Sequence, residues 1–128
     1  MLEGVYPIYT TGQLERETGI TERTIAYYNS LGLLSLEKMH GKMIVTDEDL
    51  RLLVKIFLMK ITHTKLKDIR RADLEHKPFA AIIRQMETMN EQVFHLSSGM
   101  ERCGERPGFG DCFRLLREAN HYMKTFMS

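Results

Sequence analysis

The sequence predicts a mainly α-helical chain with one small β-hairpin, and three observations carry that prediction. Threonines stand at helix-capping positions ahead of apolar runs at Thr10, Thr21 and Thr46. His40-Gly41 separates two short candidate strands. Phe79, Ile82, Met86, Met89, Val93, Leu96 and Met100 recur at spacings of 3, 4, 3, 4, 3 and 4, which is an a/d heptad seam. With 43% hydrophobic and 27% charged side chains, the chain has the balance of an ordered protein, and 128 residues make one domain, or one small domain with an appended helix.

Taken in order, Thr10 and Gln13 have capping-box spacing, because each side chain can reach the other's backbone N–H. A short helix over about 11–17 follows, and Gly19 supplies a tight turn. Thr21 caps a second helix over about 22–31, ended by Gly32. Two short helices joined by a glycine-containing turn make a helix-turn-helix pattern. Ile20, Ile25, Tyr28 and Leu31 give the second helix its apolar side, while Ala26 and Tyr27 face elsewhere. The hairpin of residues 33–45 then forms a small wing beside it. Thr46 to Asp49 is another capping box, with three acids favourably placed at a helix N-terminus. The third helix, about 47–60, carries Leu50, Leu53, Val54, Phe57 and Leu58 at helical spacing. Thr64 caps a fourth, about 65–74, with Leu66, Ile69 and Leu74 inward. Lys77-Pro78 marks the next start.

The heptad seam implies one helix over 79–102, roughly 36 Å long. Each apolar side chain buried on it contributes about 1.5–3 kcal/mol, enough to hold a dimer. The expected partner is the same helix of a second copy; the alternative is one helix of an intramolecular bundle. Beyond Cys103 three glycines and a proline make a loop up to Cys112. Phe113, Leu115, Leu116, Ala119, Tyr122, Met123 and Phe126 then mark a short amphipathic helix. The expected division is a winged helix-turn-helix over 1–76, a dimerisation helix over 77–103, and a loop with a short helix over 104–128.

The function classes narrow by exclusion. The net charge is +1, so a nucleic-acid or acidic partner has to be argued from local patterning. No basic run followed by an apolar one opens the sequence, and Arg51, Lys55 and Lys60 break its most apolar stretch, 50–61. A cytoplasmic chain without a membrane partner is expected, and two cysteines are too few for a disulfide scaffold. No phosphate-binding glycine loop, H-E-x-x-H or G-x-S-x-G is present, and His40, His63, His76, His95 and His121 lack metal-ligand spacing. An enzyme is not expected.

The run from Tyr9 to Leu34 closely resembles the N-terminal helix-turn-helix of MerR-family bacterial transcription regulators, Y-T-I-G-E-L-A-x-x-T-G-V-S-x-R-T-L-R-Y-Y-E-x-x-G-L-L. The resemblance continues through Gly41, Thr46 to Leu50 (S-E-E-D-L in the family) and Thr64 to Ile69 (S-L-E-E-I). It implies a winged helix-turn-helix followed by an antiparallel coiled-coil homodimer. It also implies a pseudo-palindromic promoter site in double-stranded DNA as partner, with RNA polymerase or another protein beside it. On that resemblance the 22–31 helix is the recognition helix. Thr21, Arg23, Thr24, Tyr27 and Tyr28 meet DNA from it, Lys38 and Lys42 from the wing, and Thr64 and Lys65 from a helix N-terminus that can hold a phosphate. The seam from Phe79 to Met100 is the implied dimer interface. Two departures stand out. Ala26 replaces an arginine before the paired tyrosines, and Met43 and Ile44 replace wing residues of Gly-Tyr-Arg-Arg-Tyr. Residues 1–77 hold 12 Lys plus Arg against 11 Asp plus Glu, which is low for a DNA-binding unit. A protein-interaction module with reduced DNA binding is therefore the alternative.

The cysteines open one more alternative. Metal-sensing members of the family carry thiolates after the dimer helix, and Cys103 and Cys112 fall at the corresponding place. Two thiolates suit a soft metal ion such as Hg(II) or Cu(I), with His76 of a second chain as third ligand. Arg102 and Arg106 would lower the thiol pKa. A thiol-based metal or redox sensor is the resulting reading; two buried, small apolar residues is the other.

Overall fold

The computed structural model describes residues 8–89 and 91–127. The elements run β1 (Ile8–Thr10), α1 (Thr11–Thr18), α2 (Glu22–Ser30), β2 (Glu37–Met39), β3 (Lys42–Thr46), α3 (Asp47–Ile61), α4 (Arg71–His76), α5 (Phe79–Met86), α6 (Glu91–Glu101) and α7 (Phe109–Phe126), with a single 3-10 turn at Leu66–Asp68. A mainly helical winged helix-turn-helix with further C-terminal helices is thus what the chain forms.

The capping signals act as their chemistry requires. The Thr10 hydroxyl accepts from the Gln13 N–H at 3.1 Å, and Gln13 Oε1 accepts from the Thr10 N–H at 2.9 Å. Gly19, at φ 82°, ends α1 in the left-handed conformation. The Thr21 hydroxyl accepts from the Thr24 N–H and opens α2. At α3 the Thr46 hydroxyl accepts from the Asp49 N–H, and the Asp49 carboxylate accepts from the Thr46 N–H at 3.0 Å. Thr46→Ala removes one of these bonds at the joint between wing and central helix. The expected loss is about 0.5–2 kcal/mol, read by urea unfolding.

The wing turn is His40-Gly41, with φ of 52° and 79°; two positive φ values match the right-handed twist of a two-residue hairpin. β2 pairs antiparallel with β3, Met39 opposite Lys42. A third strand was not foreseen. Ile8–Thr10 pairs with the other edge of β3, Tyr9 opposite Val45, giving the order β1-β3-β2. Three residues are too few for alternation to show in sequence.

α3 buries nine of its fifteen residues, so it is a central helix surrounded on most sides. The fourth predicted helix is instead the 3-10 turn and the short α4. Thr64 caps neither: its N–H donates to Met59 O at 3.0 Å and closes α3, after His63 at φ 65°. Leu66, Ile69 and Leu74 do face inward.

The largest correction concerns the seam. The expected single helix over 79–102 is two helices, α5 and α6, with turn residues after Met86. The Thr88 hydroxyl donates to Gln85 O at 2.9 Å and the Met89 N–H to Met86 O, tightening the chain at the end of α5. Phe79, Ile82, Met86, Val93, Leu96 and Met100 are all 5% exposed or less within their own chain, and Met89 is half-buried. They lie in the core of their own chain. The reason is the tail. The helix expected to be short is the longest described, Phe109–Phe126, and α7 packs on α3, α1 and α6. A broken seam lets α5 lie on α3 and α6 lie on α7, so that one continuous core runs from Leu14 to Tyr122.

The connection after α6 is tied down by polar groups. Glu105 Oε1 and Oε2 accept from the Phe79 and Ala80 N–H groups at 2.7 and 2.9 Å, capping α5, whose own N-cap, Pro78, has no side-chain acceptor. Arg51 Nε donates to Pro107 O at 3.0 Å.

Candidate nucleic-acid interface

α2 is held by its inner face and offers its outer one. Ile25 is fully buried and Tyr28 is 2% exposed, its ring edge-on to Phe57. The Tyr28 hydroxyl accepts from Lys60 Nζ at 3.0 Å. Tyr28, expected among the DNA contacts, is therefore a core residue and not part of the exposed face of α2. One position earlier, 100° round the helix, Tyr27 is 53% exposed. Arg23 and Thr21 are exposed and Thr24 half-exposed. Arg23 and Tyr27, four residues apart, share one outer face, and Leu31 continues it at 46% exposure. The hydroxyls of Thr21 and Thr24 lie 2.9 Å apart in the cap, so these two threonines shape the start of the helix.

The wing is braced against α2. Asn29 Oδ1 accepts from the Leu36 N–H at 3.0 Å, and Arg71 Nη1 donates to Ser35 Oγ at 3.0 Å. Lys38 and Lys42 are both exposed. The wing turn and the helix-turn-helix meet at a cleft of about 590 Å³, lined by Thr10, Gln13, Arg16, Glu22 and Lys42 among others. Arg16 is a cation that the sequence reading missed. The signal was available: Gln13 and Arg16 are three residues apart on α1 and so share a face. The joining of Arg16 to Lys42 depends on the wing's return and has no local signature.

Thr64 and Lys65 do not form the expected phosphate site. They precede a single 3-10 turn whose N-cap, Lys65, has no side-chain capping bond, and Thr64 closes α3. Lys65 itself is exposed.

The two cysteines are placed differently from each other. Cys103 is half-buried: its Sγ donates to Gly99 O at 3.3 Å and accepts from Arg114 Nη2 at 3.4 Å. Burial raises its pKa, Asp111 adds to this, and Arg114 and Arg102 only partly offset it. Cys112 is fully buried, with Sγ 3.7 Å from Pro107 O. Burial pushes its thiol up to about 12 against the weaker pull of Arg51. The expectation of lowered thiol pKa values is thus reversed. Among the described residues no three His, Cys, Asp or Glu side chains form a metal-holding group. His76 is at the end of α4, on a cleft it shares with Lys55 and Glu105.

Compared with known proteins, the chain matches the family model described as MerR HTH family regulatory protein over residues 9–74, just over half of its length. No curated protein and no solved structure matched it.

Proposed function

The chain belongs to the MerR helix-turn-helix family of regulatory proteins, and from that premise of a DNA-binding transcription regulator we propose that it binds a pseudo-palindromic promoter site as a homodimer. In this reading α2 enters the major groove, Arg23 reaches base edges or phosphate, and Tyr27 meets the backbone. Lys38 and Lys42 of the wing and Arg16 of α1 take phosphates. The observation that carries the reading is the shared cleft: the wing turn and the start of α2 flank one opening, so groove and backbone contacts fall on the same side of the molecule.

Because the seam residues are buried in their own chain, pairing through that seam requires the α5–α6 pair to open. The dimer we propose is therefore one assembled on two half-sites, and RNA polymerase is the natural neighbour at a promoter. The proposed role is that of a regulator and not an enzyme. Among the described residues no helix is long and apolar enough to cross a membrane.

The test is selection of bound DNA from a random pool, followed by titration on the enriched site. Arg23→Ala is expected to weaken binding by about 1–3 kcal/mol and to relax preference at the base it touches. Equal binding by both proteins would remove Arg23 from the interface. The absence of any enriched site at low salt would favour the alternative, a protein partner on the exposed Tyr27–Leu31 face.

A further inference from the structure

The cleft between α1 and the wing turn holds a charge that DNA binding does not use. Arg16 and Lys42 bring two cations to its walls, and Glu22 brings the one carboxylate among its lining residues. Glu22 is the first residue of α2 and is exposed. Its carboxylate does not pair with either cation. Oε1 instead accepts from the Thr11 hydroxyl at 2.7 Å, so close to the first turn of α1 that a Cβ on Gly12 would stand 3.5 Å from it. Among the described residues no ion pair includes Glu22. Glu15 Oε1 accepts from the Glu22 N–H at 2.7 Å and fixes the backbone from which the carboxylate projects. The Glu22 carboxylate is thus fixed in orientation by a hydroxyl and paired with neither cation, in the cleft that Arg16 and Lys42 also line.

We propose that Glu22 limits DNA affinity: a built-in anion at the mouth of the α1–wing cleft that opposes the phosphate Arg16 and Lys42 attract. This rests on the DNA-binding reading above. It adds a placed anion to the near-neutral balance of residues 1–77. A unit charge several ångströms from a phosphate, partly screened by water, corresponds to about three- to tenfold in affinity. Its removal also steepens the dependence of log affinity on log salt, by up to about 0.9.

The experiment measures fluorescence anisotropy of a random-sequence duplex with the full chain, Glu22→Gln, Glu22→Ala and the remote Glu87→Gln, across a salt series. Matching circular dichroism spectra and melting curves establish equal folding. Glu22→Gln keeps an acceptor for Thr11 and Glu22→Ala does not, so a charge effect appears in both and a merely structural one separates them. Tighter binding and a steeper salt slope for both Glu22 variants, with Glu87→Gln like the parent, is the expected result. Binding by the parent that neither Glu22 variant improves, or that Glu87→Gln improves equally, overturns the inference and leaves the DNA-binding reading intact. No binding by any of the four proteins at low salt overturns both.

Discussion

Ile82→Ala is expected to destabilise the chain by about 2–5 kcal/mol, with a melting temperature that does not depend on protein concentration in either the parent or the variant. Ile82 is fully buried in the middle of α5. Its truncation loses the transfer free energy of three carbons and leaves a cavity between α5 and its neighbours. The neighbours are fixed: Met86 and Phe79 on the same helix are themselves 0% and 2% exposed, and Glu105 holds the backbone N–H groups of Phe79 and Ala80. Little collapse into the space is available, which puts the loss toward the upper end of that range. Concentration distinguishes the two roles that the heptad spacing allows. If Ile82 sat between two chains, the parent would melt higher as it is concentrated, by mass action, and the substitution would abolish that rise. In a seam closed within one chain, dilution changes nothing and the variant is simply less stable. Arg84→Ala, on the exposed side of the same helix, is the control and is expected to stay within about 0.5 kcal/mol. A concentration-dependent melt of the free parent, lost in Ile82→Ala, would restore the inter-chain seam.

How far the fold was legible in the sequence follows from the range of the interactions involved. The caps at Thr10, Thr21 and Thr46 join a side chain to a backbone group three residues on, and such bonds read directly from spacing. The same holds for the His40-Gly41 turn, where two residues alone set the geometry. The end of α5 is a different matter. Residues 79–100 have the same periodicity whether they form one helix or two, because a heptad pattern records which side is apolar and not what covers it. The cover is α3 for α5 and α7 for α6, and α7 is anchored over long range: Arg117 Nε donates to Glu17 O at 2.9 Å, Asn120 Nδ2 to Thr18 O, and the Tyr9 ring stands edge-on to Phe113 at 4.8 Å. No window of sequence contains both partners of such contacts. The candidate DNA-contact residues divide in the same way. Arg23 and Tyr27 are legible as the outer face of a helix and Tyr28 as part of its apolar side, while the core residue that Tyr28 packs on, Phe57, lies outside any local window. Arg16 and Glu22 escaped notice because their significance comes from the wing folding back beside them.

Above pH 9 the chain is expected to lose stability progressively, and Cys112→Ala to abolish much of that loss. The sulfur is fully buried and its hydrogen-bond partner is Pro107 O, the carbonyl that also accepts from Arg51. A thiolate there would lose water, lose the proton it donates, and lie against a carbonyl oxygen. Burial is the largest of these effects and moves the thiol from 9.0 to about 12 in the folded chain. Between those values the unfolded chain has released the proton and the folded chain keeps it. The folded state therefore binds more protons and its stability falls as pH rises, by roughly 1.4 kcal/mol per pH unit, or about 4 kcal/mol over the window. Below pH 9 the thiol is neutral in both states and contributes no pH dependence. Two other groups act in the same alkaline range. Cys103, raised by burial, adds to the loss. Lys55 opposes it: burial lowers its pKa, against Glu105 and Glu48, so the unfolded chain holds the extra proton and stability rises with pH. Comparing parent with Cys112→Ala cancels both. At neutral pH the variant lacks one buried sulfur and is the less stable of the two, by roughly 1 kcal/mol. The parent then loses more with each pH unit above 9, so the two curves, measured by urea unfolding at stepped pH, are expected to cross. Parallel curves would mean that water reaches the sulfur in the folded chain and that the start of α7 opens far more readily than its packing on α3 implies.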